Sequence, residues 1–335
     1  MRMAKFVVMV LACGALLALA DACAKRTPPS IASTKKEGPA ATFLWSSRGG
    51  GSQIMQRVIA VRTAPDKRVW VAEGKMGMEK IGGRFFIFDP EGTFIEVWGS
   101  PGKNNGEFAL NTGTTDDGAD ILFLPDGSFL VGDKGNIRIQ LFDRERRFVR
   151  AWISGDGEPS SPTGLALTAE GEVLVVFNRR PEIQRFKPDG TFLGMISAGL
   201  RTPQGICVDP EGRIWVADRN FKADAIVDGI VKVFDREGRP LFECGARTEA
   251  FDGLRQPGDL VADSRGRIYL ADCYHHRGVV FDRDGKVLMT IGGRGEWEGT
   301  FNYSNGIALD GEGGVYVGDW TGGRLEKFLV AGVPD

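Results

Sequence analysis

The chain has 335 residues, 42% of them hydrophobic and 26% charged, which is room for one large all-β domain or two average ones. Its 42 basic and 44 acidic side chains leave a net charge of −2, so there is no basic field of the kind phosphate-backbone binding needs, and nucleic acid is excluded as a partner. Glycine reaches 47 residues, and the apolar residues alternate with charge instead of recurring at helical spacing, a composition suited to short strands and tight turns.

The first element is a targeting segment. Arg2 and Lys5 precede a nearly continuous apolar run over residues 6–20, which ends in the small-x-small pattern Ala20-Asp21-Ala22. The run is too short for a membrane span. Residues 1–22 therefore read as a signal peptide. Cys23 follows directly and resembles the lipidated cysteine of bacterial lipoproteins, although Asp21 is unusual in that motif; plain secretion is the other reading. Residues 23–40 are rich in Pro, Ser, Thr and Lys and read as a flexible tether. Export to the cell envelope, with a lipid as the only membrane contact, is the expected destination.

Residues 41–335 carry an internal repeat. Its clearest copy runs from Pro203 to Asp218 (PQGICVDPEGRIWVAD), with others ending at Asp272 and Asp319 and weaker ones at Asp133, Asn178 and Glu73. Each is strand, turn, strand, with an Asp-Gly or Glu-Gly type turn, and a second hairpin follows, as in VKVFDREGRPLFEC. Four strands per unit and six units predict a six-bladed β-propeller of antiparallel blades. The last unit lacks its fourth strand, while Thr42-Phe43-Leu44-Trp45-Ser46 matches the fourth strands ending in Trp98 and Trp152. An N-terminal strand completing the last blade closes the ring and removes a free edge.

The units resemble NHL repeats. Residues 274–282 (YHHRGVVFD) and 136–143 (NIRIQLFD) match the second half of that pattern, and the loops at 292–302 and 98–108 resemble the family's connectors between blades. The resemblance spans residues 42–330. It implies the fold; function has to come from the site.

Binding sites on propellers gather where inner strands begin. The sequence places Arg57, Asp120, Thr163, Gln204, Asp259 and Asn305 there. The acid that ends each second strand is expected to cap the turn that follows it. Met76 and Phe221 lie on two long loops of the same face, and Trp320 and Trp297 are expected beside them as recognition residues.

Enzyme readings fare less well. The chain has 2 histidines, His275 and His276, so the three-histidine zinc site of the amidating lyases that the repeats resemble is excluded by counting. If the stretch is extended, the two rings point to opposite sides. No Gly-x-Ser-x-Gly occurs. Similarity to gluconolactonases implies a divalent-metal site of carboxylate and amide oxygens, for which Asn305, Asp120 and Asp259 supply only part of the set. Cys207, Cys244 and Cys273 are expected to be buried thiols, with one disulfide open as the alternative.

The expected function is thus a non-catalytic binding module, a monomeric propeller without cofactor, holding a protein, peptide or glycan on its loop-rich face. The alternative is a metal-dependent hydrolase or lyase with its site at the channel mouth.

Overall fold

Alternating apolar residues, interrupted at short intervals by turns, fold each repeat into a four-stranded antiparallel meander. The computed structural model describes residues 40–74, 82–110, 119–178, 180–220 and 228–333. These form six such sheets, the blades of a propeller, and the inner strands are Arg57–Thr63, Asp120–Phe123, Pro162–Leu167, Thr202–Val208, Pro257–Ala262 and Ser304–Leu309. Among the described residues no helix is long and apolar enough to cross a membrane.

The ring closes as the sequence implies. Ala40–Ser47 pairs with Arg324–Ala331 as the outer strand of blade six, in a register running from Ala40 opposite Ala331 to Ser47 opposite Leu325. Trp45 then lies 5.9 Å from the Tyr316 ring on the blade's second strand.

The outer hairpins are not two-residue turns. In blade one Gly92 N–H donates to Asp89 O, Asp89 N–H to Thr93 O, and Gly92 takes a φ of +88°. That is a longer loop ended by a left-handed residue, and the Asp89 carboxylate accepts from the Glu91 and Thr93 amides inside it. Asp143, Asp235 and Asp282 do the same in their blades.

Packing lies between blades. Trp70, Phe85 and Trp98 of blade one meet Phe129 and Phe142 of blade two in one buried cluster, with Trp98 and Phe142 edge to face at 5.1 Å. Cys207, Cys244 and Cys273 are all buried and free, and burial pushes the Cys244 and Cys273 thiols up to about 12.

After the second strands of blades two and five the chain makes a short 3-10 turn, Lys134–Asn136 and Cys273–His275, then a left-handed residue, Ile137 (φ 57°) and His276 (φ 56°). A β-branched side chain is a poor occupant of that region, at roughly 1–2 kcal/mol. Because Ile137 is also on the surface, Ile137→Asn is expected to raise stability by about 1 kcal/mol, read as an upward shift in the thermal midpoint; an unchanged or lower midpoint contradicts the strain.

Candidate functional site

The turns at the far end of the inner strands align the blades. Turn-opening residues Ala64, Leu124, Thr168, Asp209 and Asp310 share one hydrogen-bond pattern, as does Asp263 in blade five. Counting back from them, Ile59, Ala119, Thr163, Gln204, Gly258 and Asn305 fall in one layer, and all six line the same recess at the channel mouth. Thr163, Gln204 and Asn305 are therefore brought together as expected. Asp120 and Asp259 also line the recess, but they sit one residue further along, in the layer occupied by Ala60, Gly164, Gly205 and Gly306 in the other blades.

That layer is crowded. A Cβ on Gly205 stands 2.8 Å from Gly258 O, and one on Gly306 stands 2.7 Å from Val61 N, so the backbones of neighbouring inner strands touch. Where an aspartate stands instead, its carboxylate replaces backbone contact with hydrogen bonds. Asp120 accepts from Leu165 N–H (2.8 Å) in the next blade, and Asp259 from Ile307 N–H (3.2 Å). Thr163 donates to Pro203 O and Asn305 to Ile59 O, again across a blade boundary.

Arg62, at the end of blade one's inner strand, spans the channel. Its guanidinium contacts Asp120 Oδ1 at 2.8 Å and pairs with both oxygens of Asp259, while Nη1 also donates to Val61 O at 2.8 Å. One cation thus serves two carboxylates, Asp120 buried and Asp259 partly buried. Burial pushes the Asp120 carboxyl up to about 7, against the pull of Arg62 and with the like charge of Asp259 behind it. The guanidinium is held above its ordinary range: burial opposes its charge, and the two aspartates outweigh burial.

The space left in this recess is about 20 Å³, room for a water molecule rather than a substrate. A metal fits it poorly on donor chemistry. Asp120 and Asp259 are already committed to Arg62 and to backbone amides, and the Asn305 amide nitrogen faces a carbonyl. Among the described residues no group of three or more His, Cys, Asp or Glu side chains is arranged to hold a metal ion.

Arg57 is not part of the ring. Its guanidinium covers the Trp320 ring at 4.3 Å, two residues before Ile59. Trp320 begins a row of aromatics along the face of blades five and six: Tyr303 meets it edge-on at 5.8 Å and 90°, and Tyr274 meets Tyr303 at 5.2 Å. Arg255 lies over Tyr274 at 5.9 Å. Trp297 is 81% exposed. Met76, Phe221 and Cys23 lie outside the described residues.

Among the described residues the acids closing the second strands share one role. They reach back to the loop entering the inner strand, where an open N–H pair needs an acceptor: Asp218 takes Arg201 and Thr202 N–H, Asp133 takes Ala109, Asp272 takes Arg255, and Glu73 takes Gln56. Asp319 does this for Asn302 and Tyr303, and as expected it also accepts from the backbone of the following turn, at Gly322 N–H. The bases that open the third strands, Arg84, Arg138, Arg277 and Arg324, neutralise them.

The histidines are not in an extended stretch, so they do not simply alternate. His275 Nδ1 lies 2.9 Å from Asp272 Oδ2, with Asp252 on its other side at 3.7 Å, whereas His276 bonds Asn302 O and packs on Tyr303. They do not make a triad: the Ser304 hydroxyl is engaged by the Asp272 and Arg277 carbonyls (3.2 and 2.9 Å).

Comparison with known proteins agrees with this geometry. The NHL-repeat family model matches residues 200–220 and 254–281, in blades four and five. The chain carries NHL repeats. Human NHL-repeat-containing protein 4 is 28% identical over 108 residues, 32% of this chain and 86% of that protein. Protein brain tumor of Drosophila melanogaster is 28% identical over 146 residues, 42% of this chain and only 13% of that much longer protein. Among solved structures, a protein of unknown function from Bacteroides thetaiotaomicron superposes with a TM-score of 0.63 at 15% identity, over 87% of this chain and 76% of that one. Virginiamycin B lyase from Staphylococcus aureus gives 0.53 at 14%, over 81% and 80%. At such identities this chain shares only its fold with these structures.

Removing the channel cation tests the arrangement. Arg62→Met strands the buried Asp120 carboxylate and the partly buried Asp259 and is expected to cost about 3 kcal/mol at pH 8. Asp120 binds its proton more readily folded than unfolded, so its share of stability is full below about 4 and lost as pH rises through about 7. Urea titrations should therefore show the Arg62→Met deficit shrinking toward pH 5, as protonation removes the need for a cation. A deficit independent of pH contradicts the assignment.

Proposed function

We propose that this NHL propeller is a non-catalytic binding module that takes a protein or peptide partner on the face where the inner strands begin. The observation that carries the reading is the row Tyr274, Tyr303 and Trp320, flanked by Arg255 and Arg57, beside a channel mouth filled by its own side chains. Rigid aromatics on a fixed scaffold are the usual anchors of protein recognition, with arginine beside them. A glycan is the weaker candidate because the Trp320 face on which a sugar would stack is covered by Arg57. A hydrolase or lyase is weaker still, since the oxygens it needs are tied up in holding blades together.

The same proposal places the protein in the cell envelope, anchored through a lipid on Cys23. Its support is the order of features in the sequence: charged start, apolar run, small-x-small, cysteine, tether.

Peptide-display selection on the immobilised propeller tests the binding role. Enriched peptides should lose at least tenfold in affinity for Tyr303→Ala and Trp320→Ala, about 1.4 kcal/mol, and keep it for Leu193→Ser on the outer rim. No enrichment, or peptides indifferent to the two face variants, sinks the reading. For the anchor, an alkynyl fatty acid fed to cells making the full chain should label it, and Cys23→Ser should abolish the label.

A further inference from the structure

A cavity of about 590 Å³, within the ~300–1,000 Å³ range of ligand sites, opens on the outer side of blade five. It lies between two walls. One is the run 247–252, in the connector from blade four to blade five. The other is Val287, Met289 and Thr290 of blade five's outer strand, Val287–Ile291.

The first wall is built to stay in place. Leu254 N–H donates to Gly245 O at the foot of the loop (2.9 Å), and Leu254–Arg255 pairs with Asp228 and Gly229 of blade four. Thr248 N–H donates to Phe251 O, and the Phe251 amide returns a bond to Thr248 Oγ1 (3.1 Å). From the blade-five side Arg277 holds Asp252 Oδ1 at 2.6 Å and Gly253 O at 3.0 Å, and lies 4.9 Å over the Phe251 ring. The loop is thus tied to both blades, yet the Arg247 and Glu249 side chains on it are exposed and, among the described residues, unpartnered. A wall held this firmly gives up little freedom when a partner settles against it.

The second wall is a sheet edge. Val287–Ile291 ends the order of its sheet, so alternate residues turn N–H and C=O outward with no strand beside them. Leu288 is the extra residue of a bulge, which leaves 289–291 as the regular edge. The outer strands of blades one, two and four are also bulged, and they add further devices that discourage pairing: Glu96, Arg150, and Pro240 with Glu243. Blade five's strand carries neither charge nor proline, and Thr290 stands exposed on it. Phe192–Ser197 of blade three is equally plain, but the short link 198–201 to the next inner strand forms no second wall.

A plain edge beside a firm wall suits an extended backbone. Such a backbone supplies the hydrogen bonds the edge lacks, and its alternate side chains fall toward Phe251, Val287 and Met289. The others meet Arg247 and Glu249, one free charge of each sign, which an acid and a base at alternate positions complement. The loop then runs on into Arg255, which lies over Tyr274, so the groove is continuous with the aromatic row.

We propose that this groove takes an extended segment of the peptide partner as a fifth strand of blade five, with its acid and base facing Arg247 and Glu249. The inference rests on the binding role above and assigns the partner's conformation.

The test uses the full folded propeller and a generic strand, because in strand addition the main chain supplies the affinity. The probe is acetyl-Lys-Val-Glu-Val-Thr-Val-amide. In a nitrogen–proton spectrum it should move the signals of 289–291 and 247–252 saturably, with a dissociation constant of about 1 mM or below. Two further probes carry N-methyl groups on their odd or their even amides, so that each blocks one edge of the strand. One of the pair should bind like the parent and the other at least tenfold more weakly. Thr290→Lys should weaken the parent probe about tenfold at an unchanged thermal midpoint, while Met195→Lys, on the blade-three edge, should leave affinity as it is. Arg247→Glu together with Glu249→Arg should invert the preference between the parent and a probe with Lys and Glu exchanged. The proposal is overturned if no saturable shift appears, if both N-methyl probes bind alike, if Thr290→Lys has no effect, or if charge reversal leaves the preference unchanged. Display peptides that depend on Tyr303 and Trp320, with a strand probe that leaves the edge unmoved, remove the groove and keep the binding role. A strand probe that behaves as expected, alongside peptides indifferent to both face variants, supports the groove and removes the aromatic row.

Discussion

The fold depends on how closely six inner strands approach a common axis. Backbone meets backbone there, and in four blades the layer of closest approach holds glycine or alanine: Ala60, Gly164, Gly205 and Gly306. The other two blades place aspartate in that layer, a choice tolerable only because each carboxylate reaches an amide of the next blade and both share Arg62. Small residues and a three-membered ion cluster are thus two solutions to one packing problem. The cluster is tuned for cohesion, and its perturbed Asp120 follows from burial. A perturbed carboxyl in a cleft is often a sign of catalysis; here the geometry assigns it to the scaffold.

With the axis filled, the surface available for recognition is the face around it. The repeat supplies the same framework in every blade but the third, where Asn178 stands in the acid's place: an acid closing the second strand, backbone amides of the entering loop, and in most blades a base opening the third strand. What differs from blade to blade is what stands on that framework, and in blades five and six it is Tyr274, Tyr303 and Trp320. The framework makes those rings rigid, which lowers the entropy lost when a partner settles on them.

Much of this was legible in the residues. Blade number, the hairpins, the clasp at Trp45 and the burial of the three thiols all follow from local patterns that repeat, and repetition averages out local ambiguity. The channel was read less well. Alternating apolar residues define which face of an inner strand is buried but leave its offset loose, so Asp120 and Asp259 were aligned with Gln204 when they belong with Gly205. The turn hydrogen bonds resolve the offset, and they are invisible in sequence. Arg62 was missed for another reason: it looks like an ordinary strand-end charge, and its partners lie far away along the chain. Tyr303 and the run 247–252 sit in connectors whose spacing carries no periodic signal.

The clasp has a bearing on how such a ring is made. Ala40–Ser47 precedes the other five blades in the chain, yet its partner, Arg324–Ala331, follows all of them. Five blades can form from near neighbours as they emerge, each hairpin close in sequence. The sixth must wait, and until its other strands have been made the Phe43 and Trp45 side chains have no Phe328 or Tyr316 to cover them. Ring closure is the one long-range step in a fold otherwise built locally, and such steps are slow because a large loop of chain has to be organised first. The vulnerable species during biogenesis is therefore an open ring with a sticky first strand, the form for which a cell would need a holding factor.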